Sequence, residues 1–185
     1  MEWPVESGAG RSRSREDNLA SLDLITIGRS SVDLYGAQVG GRLEDMASFN
    51  KYIGGSPTNI AAGTARLGLK SALITRVGDD PFGAALGDLW SDEGVSTAHV
   101  TRATGEETGV YFVTHDADSH HFTYRRKGSA ASRLAPADLP RAALQNGPIF
   151  YASGISLAVS PSMQDAVTEA AALTRAAGGM FAFDP

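Results

Sequence analysis

Gly54-Gly55-Ser56-Pro57-Thr58-Asn59-Ile60-Ala61, with Gly68 and Gly78 downstream, is the most specific pattern in this sequence. Paired glycines ahead of a helix allow close approach to the backbone, and the first-turn N–H groups, lacking acceptors within the helix, can point at oxygens of a ligand. Pro57 suits a first helical turn, and Ile60, Ala61, Thr64, Ala65 and Leu67 form an apolar stripe that Gly68 ends. Taken alone, the residues allow two readings: a glycine turn capping an ordinary helix, or a helix-start ligand site. No Gly-Lys-Ser/Thr follows, as a phosphate loop needs, and the spacing is not the Gly-x-Gly-x-x-Gly of a dinucleotide site.

Outward from this helix, strand and helix signals alternate. Upstream, Leu22 to Gly28 reads as a short buried strand, followed by extended pieces at Tyr35–Val39 and Phe49–Ile53 around a Gly40-Gly41 turn. Downstream, Ser71 to Val77 is an apolar strand, and Pro81 opens a helix carrying Phe82, Ala85, Leu86, Leu89 and Trp90 that Gly94 closes. Residues 108–114 and 120–126 flank Asp116-Ala117-Asp118-Ser119 as a hairpin. Alternation then resumes with a strand at 148–152, a helix from Ser160 and Pro161 to about Ala177, and a strand at 179–183. Parallel neighbours need crossover connections, so strands 22–28, 71–77, 148–152 and 179–183 are expected in one parallel α/β sheet, with 108–114 and 120–126 as an antiparallel flap outside it. Ligands of such sheets bind beyond the carboxyl ends of the strands.

Composition narrows the function classes. The chain has 185 residues, 42% hydrophobic, enough for one domain core, and its net charge of -5 offers no basic field for a nucleic acid. With no cysteine, disulfides and thiolate metal sites are excluded. No apolar run long enough for a membrane span and no signal-peptide pattern is present, so a cytoplasmic location is expected. Residues 1–20, where Ser, Gly and Arg alternate without apolar periodicity, read as a disordered extension ahead of a domain at 21–185. The histidines near the hairpin turn (His115, His120 and His121) lack metal-ligand spacing, and no metal site is expected.

The run from Gly54 to Ala61, together with Gly68 and Gly78, resembles the N-terminal signature of the PfkB carbohydrate-kinase family, whose fold is ribokinase-like. Gly28-Arg29-Ser30-Ser31-Val32-Asp33-Leu34-Tyr35-Gly36, Leu43-Glu44-Asp45-Met46 and Ala65-Arg66-Leu67-Gly68-Leu69-Lys70 are similar to kinases of 5-dehydro-2-deoxygluconate. Thr108-Gly109-Val110-Tyr111, Tyr124-Arg125-Arg126-Lys127-Gly128-Ser129-Ala130-Ala131-Ser132 and Ser153-Gly154-Ile155 are similar instead to 2-keto-3-deoxygluconate kinases. Both substrates are deoxy keto-sugar acids.

The resemblance implies an ATP- and Mg2+-dependent kinase of such an acid, with lid strands near 35–53 and 108–126. It implies that Asp33, expected at the end of the first strand, accepts hydrogen bonds from sugar hydroxyls, and that Gly54, Gly55 and Asn59 contribute to the same sugar. Without it, Asp33 reads equally as a turn cap. Arg126 aligns with the arginine that holds the substrate carboxylate, with Tyr111 and Tyr124 as hydroxyl partners; its planar guanidinium suits a carboxylate. The bland reading of Arg125, Arg126 and Lys127 is a solvated charge run.

The family's catalytic base lies in a Gly-Ala-Gly-Asp motif that this sequence lacks, so no catalytic residue is expected here and the chain is read as the N-terminal part of a kinase truncated on the C-terminal side. Competing readings are a non-catalytic sugar-acid-binding fragment and a kinase of a neutral sugar or nucleoside. Exposed lid edges suggest a homodimer.

Overall fold

The computed structural model describes residues 22–116 and 118–185; the extension expected at 1–20 lies outside the described residues. Strand β1 (Leu24–Ile27) is buried along its whole length. The chain then leaves the core for β2 (Ser31–Gly36) and β3 (Phe49–Gly54) before helix α1 (Ser56–Arg66) returns it to β4 (Ser71–Gly78). After α2 (Pro81–Asp92) come β5 (Val100–Ala103), β6 (Gly109–His115), β7 (His120–Arg125), α3 (Arg141–Asn146), β8 (Ile149–Ser153), α4 (Gly154–Leu157), α5 (Pro161–Ala176) and β9 (Met180–Asp184).

Five strands form the core sheet in the order β5-β4-β1-β8-β9, and every pairing is parallel. Alternation along β1 and β4 divides two apolar cores. Ile25, Ile27, Ala72 and Ile74 face Leu144 of α3 and Met163, Ala166, Val167 and Ala170 of α5. Leu73 and Val77 face Ala61 of α1 and Leu86 and Trp90 of α2. This is the expected α/β core flanked by helices. The Ser160 side chain caps α5 by accepting from Met163 N at 3.2 Å, as the Ser-Pro pair predicts.

The second sheet, in the order β3-β2-β6-β7, stands outside the core sheet as the lid. Its outer pairs are antiparallel, but β2 and β6 run parallel. The expected antiparallel flap is the β6–β7 hairpin, and the β2–β6 pairing that joins it to the β2–β3 hairpin is parallel. Chain order explains it, because a core excursion separates the two hairpins and lets the second dock beside the first in the same sense.

Two boundaries also move. The extended piece expected at Tyr35–Val39 is a strand at Ser31–Gly36, and a loop with a short 3-10 turn at Leu43–Asp45 replaces a tight Gly40-Gly41 connection. The core-sheet edge β5 went unpredicted: its four residues, Val-Thr-Arg-Ala, are too short and too polar to show a period.

Candidate sugar-acid site

At the carboxyl end of β1, Gly28 turns the chain into the lid with φ 150°. A Cβ there would collide with Ser156 Oγ and Pro57. The Ser156 hydroxyl donates to Ile27 O at 2.8 Å and so ties the start of α4 to the end of β1. Because β1 and β8 are adjacent, this turn and the β8–α4 turn sit side by side, at the end of a parallel sheet where ligands bind.

The glycine pair serves packing first. A Cβ on Gly54 would occupy the place of the Asp33 carboxylate, and one on Gly55 would strike Arg29 O; Gly55 also has φ 105°, which side-chain-bearing residues rarely adopt. The protein's own atoms thus fill the room the sequence reading reserved for a ligand. Gly54 makes space for Asp33, and Gly55 locks the main chain at Arg29 and Ser30. The buried Ser30–Thr58 hydroxyl contact at 2.6 Å adds a second tie between that segment and α1.

Asp33 lies inside β2 and not at the end of β1, which corrects its expected position: it pairs with Tyr52 of β3 and Tyr111 of β6. Tyr111 in turn pairs with Tyr124 of β7. Directly opposed residues project from the same face, so Tyr52, Asp33, Tyr111 and Tyr124 make one row across the lid. Burial pushes the Asp33 carboxyl above its ordinary range, with the Ser31 hydroxyl, donating at 2.9 Å, acting in the opposite sense.

Two hollows open beside the row. One, of about 540 Å³, is lined by Asp33, Asn59, Asn50, Tyr35, Tyr52 and His115 among others. The other, of about 640 Å³, is lined by Arg29, Tyr124, Arg126, Lys127, Ser132 and Ile155 among others. Asp33 and Asn59 thus line one hollow and Tyr124 and Arg126 the other, and Tyr111 pairs with Asp33 on one side and Tyr124 on the other.

Arg126 follows β7 directly and is half-buried. Its Nη1 donates to Tyr111 Oη at 2.9 Å, while the guanidinium carbon lies 4.1 Å from the Tyr124 ring centroid and 5.3 Å from that of Tyr111. The two tyrosine rings meet edge to face at 4.9 Å. Among the described residues no carboxylate pairs with Arg126, whereas Arg125, paired with Val110 across the ladder, is exposed.

Sequence reasoning missed two contributors. Asp80 caps α2 by accepting from Gly83 N at 2.7 Å, and also accepts from Thr108 N at 2.7 Å and Thr108 Oγ1 at 2.9 Å, which fixes the entry of β6 and hence Tyr111. Arg29 reaches Tyr111 Oη through Nη1 at 3.3 Å. Its place just past a core strand was the available signal.

These features have relatives among known proteins. The family model for pfkB family carbohydrate kinases matches residues 21–185. This chain belongs to that family. It is 36% identical over 171 residues to the 5-dehydro-2-deoxygluconokinase of Geobacillus kaustophilus (strain HTA426), covering 91% of this chain and 50% of that protein. It is 34% identical over 167 residues to the 2-dehydro-3-deoxygluconokinase of Thermoproteus tenax, covering 86% and 50%. A PfkB protein from Polaromonas sp. JS666 superposes with a TM-score of 0.86 at 36% identity, over 89% of this chain and 56% of that one. The chain spans about half the length of the curated relatives it matches, and its fold is the ribokinase-like α/β core with a β lid. No helix among the described residues is long and apolar enough to cross a membrane.

Proposed function

We propose that this PfkB-family member serves a kinase that phosphorylates a hydroxyl of a deoxy keto-sugar acid, either 2-keto-3-deoxygluconate or 5-dehydro-2-deoxygluconate. The observation that carries the reading is Arg126, a half-buried guanidinium with no carboxylate partner among the described residues, held over two tyrosine rings on the wall of a hollow. In this reading the planar fork takes the substrate carboxylate, Tyr111 and Tyr124 orient the fork, and Asp33 and Asn59 take sugar hydroxyls. Gly54 and Gly55 shape the floor by admitting Asp33 and the Arg29 main chain.

The phosphoryl donor this function implies is ATP with Mg2+. The described residues do not fit a metal–nucleotide site: no group of three or more His, Asp and Glu among them could hold a metal ion, and no phosphate loop is present. We assign nucleotide and base to the half of the relatives that this chain does not cover, and place the activity in the cytoplasm. A second copy across the lid is part of the same proposal, since Tyr52, Phe122 and Tyr124 leave the lid 53%, 49% and 48% exposed at these side chains.

An ADP-release assay tests the function. The protein expressed from its complete reading frame should turn over one of the two acids at roughly 1 per second or faster, while the 185-residue chain by itself should not. Arg126→Ala should lose about 2–5 kcal/mol of transition-state stabilisation on the acid, and Arg125→Ala should lose little. Equal losses on a neutral sugar would favour a neutral-sugar kinase instead.

A further inference from the structure

Tyr111 Oη receives two guanidinium groups, Arg126 Nη1 at 2.9 Å and Arg29 Nη1 at 3.3 Å, from segments that meet only in the folded chain. A phenol oxygen has two lone pairs and one proton, so these two donations use its acceptors and leave its own O–H free to donate. Arg29 and Arg126 line the same hollow, and neither has a carboxylate partner among the described residues. Arg29 Nε is buried without a hydrogen-bond partner, an exception that asks for a reason in a group normally satisfied. Like charges flanking one neutral oxygen repel each other unless an anion comes between them.

The main chain at Arg29 is held in place for such a role. Gly28 turns under Ser156, Gly55 closes on Arg29 O, and Ser30 is bound to Thr58, so the side chain starts from a fixed point at the carboxyl end of β1. A cation with a locked backbone, an unsatisfied donor and a shared tyrosine is placed for a ligand; an ordinary surface arginine has none of these.

We infer that Arg29 is the second jaw of the carboxylate clamp and a specificity-determining residue: Arg29, Arg126 and the Tyr111 hydroxyl form a three-donor site that admits a sugar acid and rejects a neutral sugar. This rests on the sugar-acid reading above. With one arginine, a carboxylate is recognised by a single fork. With two, its oxygens can be held from both sides, and a neutral hydroxymethyl group in the same place would leave both guanidiniums desolvated and unpaired.

The test uses the protein expressed from its complete reading frame and measures kcat and KM for the better of the two keto-deoxy acids, with 2-deoxyglucose as the neutral probe. Arg29→Gln should lower kcat/KM on the acid by about 30-fold or more, mostly through KM, and should leave the neutral probe unchanged or improved. Arg29→Lys should recover part of the loss, because a point charge replaces the fork only in part. The double variant Arg29→Gln/Arg126→Gln should lose less than the product of the single losses, since both act on one carboxylate. If Arg126→Gln discriminates between acid and neutral probe while Arg29→Gln does not, the second jaw is refuted and the sugar-acid function stands. Loss of the same size on both probes for Arg29→Gln would reduce Arg29 to a structural support and likewise refute it. If neither variant discriminates, the sugar-acid reading itself falls.

Discussion

Asp33 is half-buried inside β2, paired with Tyr52 on one side and Tyr111 on the other. Its burial inside β2 pushes the carboxyl up from its ordinary value, with Ser31 opposing. The charged form is therefore a destabilising group at neutral pH, a strain relieved as the pH falls through the raised folded value. The same protonation weakens its acceptance from a sugar hydroxyl, because the neutral carboxyl loses its charge and one oxygen becomes a donor. Affinity for the sugar acid should accordingly decline, on going from neutrality to about pH 4, sooner than an ordinary aspartate would allow. KM measured across that range should show the decline, and Asp33→Asn should bind more weakly and lack it. A decline retained in Asp33→Asn would assign the titration to another group. Gly54 belongs to the same argument, because the carboxylate sits where any Cβ would be.

Elements position the site through a few ties that cross from core to lid. Helix α2 is joined to the start of β6 by Asp80, whose carboxylate is pushed up by burial but more than compensated by donations from Gly83, Thr108 and Phe82, so its pKa falls below the ordinary value. Asp80→Ala removes a helix cap and strands the buried Thr108 N–H, with an expected loss of about 1–3 kcal/mol in urea unfolding. Because β6 carries Tyr111, the variant should also weaken sugar-acid binding at a temperature where it remains folded. Asp80→Asn, which keeps an acceptor, should recover most of the stability. The hairpin of β6 and β7 was legible because period-two alternation and the Asp116–Ser119 turn are local signals. The partner of that hairpin was not: β2 is a short run, Ser-Val-Asp-Leu-Tyr-Gly, in which Val32 and Leu34 face the core while Ser31, Asp33 and Tyr35 face the site.

At the scale of the whole molecule, an ionic network binds the core sheet to the segments on either side of the β6–β7 hairpin. Arg76 of β4 holds Glu106 with two hydrogen bonds, at 2.9 and 2.8 Å, and reaches Asp138 at 3.1 Å, with side-chain exposures of 22%, 11% and 18%. The Arg76 hydrogen bonds hold the Glu106 carboxyl below its ordinary value of 4.5, against an opposing effect of burial, with Arg133 adding to the attraction. A lowered folded pKa contributes stability that is present above the ordinary value and lost as the pH falls through the folded one. Glu106→Gln should therefore cost about 1–2 kcal/mol at pH 7, and the gap to the parent protein should close as the pH drops below 4.5. Thermal melts at both pH values measure it; a gap independent of pH would mean that the charge does not matter.

The sequence alone determined the layered core. Ile25, Ile27, Leu73, Ile74 and Phe150 lie in short apolar runs between glycine and proline punctuation, and burial periodicity is written in neighbouring residues. It also determined the helix starts at Pro57, Pro81 and Pro161, because a fixed φ and a missing donor act locally. Tertiary structure decided the pairing of β2 with β6, the filling of the glycine pair by Asp33 and Arg29, and the meeting of two arginines at Tyr111. The Arg29–Tyr111 contact spans 82 residues. No local period encodes such a contact; it arises only once the core sheet has set the carboxyl end of β1 beside the lid.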